Sequence, residues 1–182
     1  MDHFYEDVYG FSGVDLFALY KKMVSRFGSG SHFVEVGAFL GRSAVFMAVE
    51  IINSGKNIKF DCVDHWQGSE EHNDEVKIER LYEDFLENIK PVKGIINPIR
   101  ANSIEASKLY KLNSLDFVFI YASHDTDSVK ADLTYWMPRV KENGVIAGDD
   151  INNEGVANVV KWFFDNEKLD IVGRQWMVDL GR

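Results

Sequence analysis

The feature that most constrains this chain is an alternation of two kinds of segment. Short runs dense in apolar and β-branched residues recur at 32–37 (HFVEVG), 58–64 (IKFDCVD), 95–100 (IINPIR), 115–121 (LDFVFIY) and 144–148 (GVIAG). Between them lie segments of helical spacing at 42–53, 74–90, 103–111, 127–137 and 154–167. Most of the runs are too short and too apolar for a sheet exposed on one side, so they read as strands buried on both faces. Strand and helix in turn are how a parallel sheet is built, with helices on both faces. The helix at 74–90 is the clearest, with Ile78, Leu81, Tyr82, Phe85, Leu86 and Ile89 on one side and Pro91 closing it. A first helix at 14–27 carries Val14, Phe17, Tyr20, Val24 and Phe27, and its start, Ser12-Gly13-Val14-Asp15, has the form of a capping box with Asp in the usual Glu place. The tail LDIVGRQWMVDLGR has two apolar runs around Gly173, Arg174 and Gln175, which predicts a closing antiparallel hairpin.

At 182 residues, without repeats, low-complexity tracts or linkers, the chain is expected to form one domain, with 1–30 as an N-terminal arm and helix and 31–182 as the core. Twenty Lys and Arg against 29 Asp and Glu give a net charge of -9, with no local basic patch. Nucleic acid is a poor partner for such a surface. The longest apolar runs, 44–49 and 117–122, fall far short of the roughly 20 residues that span a bilayer, and the acidic, aromatic start lacks the form of a secretory signal. The single cysteine, Cys62, reads as a small core residue and makes a reducing compartment, the cytoplasm, the expectation. Phe4, Tyr5, Tyr9 and Phe11 read as an arm that packs on the domain, covers the substrate or crosses to a second subunit of a homo-oligomer.

Residues 33–43 (FVEVGAFLGRS) form a buried strand, a turn with Gly37 and Gly41, and a helix start. Such glycines bring backbone close to a ligand or serve the turn alone, while free N–H groups at a helix start attract an anion. The spacing G-x-x-x-G is neither the G-x-G-x-x-G of dinucleotide sites nor the G-x-x-x-x-G-K-[ST] of phosphate loops. Asp64 ends the second strand, where doubly wound folds place the acid that accepts ribose hydroxyl protons. Glu35 and Asp64 would surround a nucleoside that carries no phosphate and has a cationic end. S-adenosylmethionine fits this better than NAD or ATP, with Glu35 favouring its amino group and the helix start its carboxylate.

Three stretches, VEVGAFLGRS, FDCVDHWQGS and LDFVFIYASHDTDSVKADLTYWMPRVKENGVIAGDD, together resemble the class I S-adenosylmethionine-dependent methyltransferases over roughly 33–150. Within them the likeness is to small bacterial and phage enzymes grouped with natural-product and sugar O-methyltransferases. The resemblance implies a Rossmann-like α/β sheet of seven strands in the order 3-2-1-4-5-7-6, strand 7 antiparallel. By position it assigns Glu35, Gly37, Ala38, Phe39, Gly41 and Ser43 to the methionine side of the cofactor, Asp64 to the ribose, His65 and Trp66 to the adenosine, and Asn102 with Ser103 to the adenine.

Relatives of this kind commonly read Ile-Asp-Ala-x-His after strand four, and that acid, with two acids after strand five, can bind a divalent metal such as Mg2+. Here the acid is Tyr121, a poor ligand beside the carboxylates of Asp149 and Asp150, so no metal residues are assigned. Tyr121 is placed on the cofactor side. Asp149 and His124 are the expected catalytic residues, either able to take the proton from an acceptor hydroxyl. His124 could equally bond loop backbone beside a helix cap at Asp125 or Thr126. The stretch with His65, Glu70, Glu71, His72 and Asp74 reads as a solvated loop, overhanging the site in the resembling enzymes. The expected activity is methyl transfer to a hydroxyl of a small molecule, a sugar among the candidates. N-methylation and cofactor binding without turnover are the alternatives.

Overall fold

The structure is a computed structural model, and it describes residues 1–68, 77–121, 125–164 and 169–182. Its centre is a seven-stranded sheet formed by β1 (His32–Val36), β2 (Lys59–Asp64), β3 (Ile96–Arg100), β4 (Leu115–Ile120), β5 (Val140–Gly148), β6 (Leu169–Val172) and β7 (Gln175–Asp179). The spatial order is β3-β2-β1-β4-β5-β7-β6, with β1 to β5 parallel and β7 antiparallel to both β5 and β6. Both the expected order and the closing hairpin are therefore present.

Side chains alternate across the sheet and divide the core in two. Phe33, Phe60, Cys62, Phe117, Phe119 and Met177 face α1 (Val14–Arg26), α2 (Arg42–Ser54) and α3 (Leu81–Asn88). Val34, Val63, Val118, Ile120, Ile146 and Trp176 face α4 (Ser103–Ser107), α5 (Thr126–Trp136) and α6 (Glu154–Phe163). Because each face is buried, a one-residue slip would exchange the two sets, which locks the register. Pro98 is tolerated in β3 because that strand is an edge and needs no outward N–H.

Several element limits differ from the sequence expectation. The described part of the helix expected at 74–90 is a 3-10 turn, Ile78–Arg80, followed by the short α3; Leu81, Phe85 and Ile89 are buried while Ile78 and Leu86 are exposed. The start of that helix, with Glu70, Glu71, His72 and Asp74, lies outside the described residues. The segment at 103–111 gives only five helical residues. The capping box of α1 is absent: Gly13 is the N-cap without a side-chain bond, and Val14 is exposed. Asp15 sits instead against the hairpin turn, where a Cβ on Gly173 would meet its carboxylate at 1.9 Å.

Beyond the strand ends, the hydrogen-bond ladder continues for one residue at the carboxyl edge. Gly37 N–H donates to Val63 O at 2.8 Å, Ala101 N–H to Asp64 O at 3.0 Å, Tyr121 N–H to Val36 O at 2.7 Å and Asp149 N–H to Ile120 O at 3.3 Å. Four loops are thus lined up side by side along the edge where doubly wound sheets bind their ligands.

Candidate active site

A cavity of about 690 Å3 opens on this edge. Its floor is the loop from β1 to α2, whose shape is set by Asp64. One oxygen of that carboxylate accepts from the N–H groups of Ala38 (3.0 Å) and Phe39 (2.9 Å), and the other from the N–H of Trp66 (2.7 Å). Trp66 is buried against Tyr82 and Phe85, and its indole N–H donates to Phe39 O at 2.7 Å. Phe39 and Trp66 hold φ of 48° and 50°, a region that costs a non-glycine residue about 1 kcal/mol or more. Hydrogen bonds to a charged group contribute about 1.5–3 kcal/mol each, so the Asp64 latch offsets that cost and keeps both loops in one conformation. Asp64 lines the cavity while also tying the loops, a second use that the expected ribose contact did not include.

Gly37 (φ 90°) lines the cavity, and Gly41 (φ 92°) is the N-cap of α2. Gly41 is not at the cavity surface: a Cβ there would meet Phe85 at 3.2 Å and Ile89 at 3.3 Å, so its glycine serves the left-handed cap and the packing of α3. With no side-chain cap on α2, the N–H groups at its start are presented at the cavity, beside Arg42 and Ser43.

Glu35 also departs from its expected place. It is fully buried beneath the loop, accepting from Tyr20 Oη (2.8 Å) and Ser43 Oγ (2.6 Å), one bond on each carboxylate oxygen. Burial pushes its carboxyl up to about 7, against the lowering effect of the two hydroxyls. Its side chain does not line the cavity, because it points to the α1 side of the sheet, where Tyr20 meets it.

At the opposite end, Asn102 Oδ1 caps α4 by accepting from Ile104 N–H at 3.0 Å. Ser103 Oγ donates to Asp132 and accepts from the indole N–H of Trp136 at 2.8 Å. Burial raises the Asp132 carboxyl to about 6, although the Ser103 bond opposes it. Asn102, Ser103 and Asp132 all border the cavity, as do Ala38, Phe39, Tyr121, Trp66 and the exposed His65, whose Nδ1 accepts from Gln67 N–H at 2.9 Å. Asp132 was not anticipated. It lies on a helix, 29 residues after its Ser103 partner, and only the i, i+4 position before Trp136 hinted at a shared face.

The roof is the N-terminal arm. Tyr5 stacks among Phe17 and Phe46, centroids 4.4 and 5.3 Å away, and Arg42 Nη1 donates to the carbonyls of Tyr5 (3.1 Å) and Val8 (2.9 Å). Phe11 stacks on Phe39 at 6.0 Å, and Gly10, Phe11 and Ser12 line the cavity. The first part of the arm therefore packs on the core and the second part reaches the pocket.

A family model described as a methyltransferase domain matches residues 34–151. This chain belongs to the class I methyltransferases. Its fold is similar to that of the O-methyltransferase NovP (TM-score 0.70, 15% identity, covering 93% of this chain and 81% of that one). It is also similar to cofactor-bound Rv0187 from MTB (TM-score 0.67, 12% identity, 96% and 84% covered) and to CalS11, described as a TDP-rhamnose 3'-O-methyltransferase of calicheamicin biosynthesis (TM-score 0.63, 15% identity, 92% and 78% covered). No protein with a curated description matches the sequence.

The remaining wall of this methyltransferase site carries the three positions expected around the acceptor. Tyr121 is half-buried, and burial, then the Asp149 charge, pushes its phenol well up, so it stays protonated. Asp149 and Asp150 are buried, and both are paired with Arg174, Asp149 Oδ2 at 3.5 Å. Asp149 Oδ1 also accepts from Gln175 Nε2 (3.0 Å) and from the N–H of Asp150 (2.7 Å). The expected proton acceptor Asp149 is thus set behind Arg174 rather than open on the cavity, which Arg174 lines in its place. His124, the other expected catalytic residue, lies outside the described residues. A divalent metal does not fit this donor set: the phenol keeps its proton, and a guanidinium already stands against both carboxylates.

Proposed function

We propose that this methyltransferase moves a methyl group from S-adenosylmethionine to a hydroxyl of a small molecule, with a sugar as the leading acceptor class and residues 1–182 acting as one catalytic unit. The observation that carries the reading is the convergence, in one cavity, of an uncapped helix start, a loop latched by Asp64 and the polar pair Ser103–Asp132. The O-methyltransferase likeness of NovP and CalS11 supports oxygen as the accepting atom. When bound, S-adenosylmethionine supplies an electrophilic methyl on a sulfonium sulfur. The N–H groups at the start of α2 hold its carboxylate, Asp64 has acceptor capacity left for ribose hydroxyls, and Asp132 accepts from the adenine amino group. Since methyl transfer needs chiefly alignment of two reactants and loss of one proton, the chain's main contribution is positioning. The acceptor's proton passes to His124, because Arg174, Gln175 and the Asp150 amide already engage Asp149. Phe11 and Phe39 keep water from the methyl end.

Calorimetric titration with S-adenosylhomocysteine tests the cofactor assignment. Binding in the wild type should weaken at least about tenfold in Asp64→Ala, as three N–H groups lose their charged acceptor. No binding to the wild type would remove the basis of the reading.

A further inference from the structure

We infer that Arg174 is a built-in cation filling the place that a divalent metal would take on this sheet edge, so that this methyltransferase's acid pair is matched without metal. The inference rests on the reading of the cavity as a methyl-transfer site, but its test does not depend on turnover.

The arrangement is built rather than incidental. Gly173 and Arg174 are the two residues between β6 and β7, with Val172 paired to Gln175, and Gly173 takes φ of 60° as such a turn requires. That turn is held from two sides. Asp15 packs against Gly173, and the N–H of Ile151 donates to Arg174 O at 3.0 Å, so residue 174 is tied to the loop that carries the acids. Asp150 in turn adopts φ of 57°, a strained conformation for a non-glycine residue, and its carboxylate reaches the Arg174 Nη2 that also faces Asp149. Gln175, the next residue along, donates to Asp149 from the same strand start.

The charges then decide what can bind. Two carboxylates meet one guanidinium, which stays protonated at any working pH. A divalent ion at the acids would have to share them with that fixed positive charge, and the third position, where an ionised oxygen would complete a metal site, is the phenol of Tyr121. Among the described residues no three His, Cys, Asp or Glu side chains come together as a metal cage. Arg174 is half-exposed and lines the cavity; Nη2 makes its bonds to the acids, and no bond from Nε or Nη1 is formed among the described residues. Those N–H groups are available to an oxygen of the acceptor. The guanidinium thereby does two things a metal would do, neutralising the acids and offering a fixed positive pole to the substrate.

The test is Mn2+ binding, read by electron paramagnetic resonance of free Mn2+ and by the shift of the melting temperature with added Mn2+. The wild type is expected to hold no Mn2+ at about millimolar concentration, and Tyr121→Asp/Arg174→Met to bind it at least about tenfold more tightly. Arg174→Met alone, which leaves the phenol in place, is expected to gain less, and it serves if the double variant does not fold. Saturable Mn2+ binding by the wild type, abolished in Asp149→Asn, would overturn the inference. So would a folded double variant that binds no better than the wild type, since Arg174 would then not be what excludes the ion. S-adenosylhomocysteine binding by the wild type, measured alongside, separates either outcome from failure of the cofactor reading.

Discussion

Replacing Glu35 by Gln should flatten the pH dependence of stability. The Glu35 carboxyl is completely buried and raised from 4.5 to about 7, mainly because burial penalises its charge. Between those values the unfolded side chain has lost its proton and the folded one keeps it. The native state then binds more protons than the unfolded, so stability falls as pH rises from about 4.5 to about 7 and levels off above. At 1.36 kcal/mol for each unit, the loss is about 3 kcal/mol. Gln has the same shape, can accept from Tyr20 or Ser43 and does not titrate. The stability of the wild type minus that of Glu35→Gln should therefore drop by about 3 kcal/mol between about pH 4.5 and about pH 8, measured by urea unfolding at steps across that range. Asp132, also raised, contributes to both curves and cancels in the difference. Two curves that stay parallel within about 0.5 kcal/mol would refute the reasoning and mean that the Tyr20 and Ser43 hydroxyls fully offset the burial of the charge.

Two other outcomes are expected. Gly148→Ala places a Cβ 2.6 Å from the Trp176 ring and 2.8 Å from Ile120 O, and overpacking of this kind should cost about 2 kcal/mol and lower Tm by roughly 4–8 °C, read by calorimetry; an unchanged Tm would mean that β7 yields more readily than its burial implies. In the wild type, S-adenosylhomocysteine affinity should rise severalfold (about three to ten) as Asp132 ionises through about pH 6, whereas Asp132→Asn should show a flat titration over the same range; equal pH profiles would remove Asp132 from the adenine contact.

The framework was legible because it depends on local patterns. Runs such as LDFVFIY carry large residues on one side and Val and Ile on the other, and strands of that kind have few ways to be buried other than between two helix layers. Helix limits were less legible, since Ile78 and Leu86 fit an apolar face by spacing and are exposed because α3 covers only one corner of the sheet. Of the site, the loop after β1 and the position of Asp64 could be read from one stretch of chain. What Asp64 bonds to could not, because Ala38 and Phe39 precede it by 25 or more residues. The same holds for Glu35: an acid inside a strand announces a special environment, but only the fold says that Tyr20 and Ser43 claim both its oxygens. Gly41 looked like a ligand glycine because turn and ligand demands leave the same residue type. Arg174 was noted only as part of a turn, and its 25-residue distance from Asp149 leaves no spacing signal.

The β6–β7 hairpin has a consequence for how the protein is made. Its second strand, near the C-terminal end of this sequence, does not sit at the margin of the sheet but is wedged between β5 and β6. Until it docks, β5 is an open edge, Trp176 is missing from one half of the core, and Asp149 and Asp150 face each other without Arg174. During synthesis the final step of folding and the completion of the active-site wall are therefore one event. A chain that stops before Gly173 is left with an unpaired strand and unbalanced charge in its interior, so such a nascent chain is a sticky intermediate rather than a weaker enzyme.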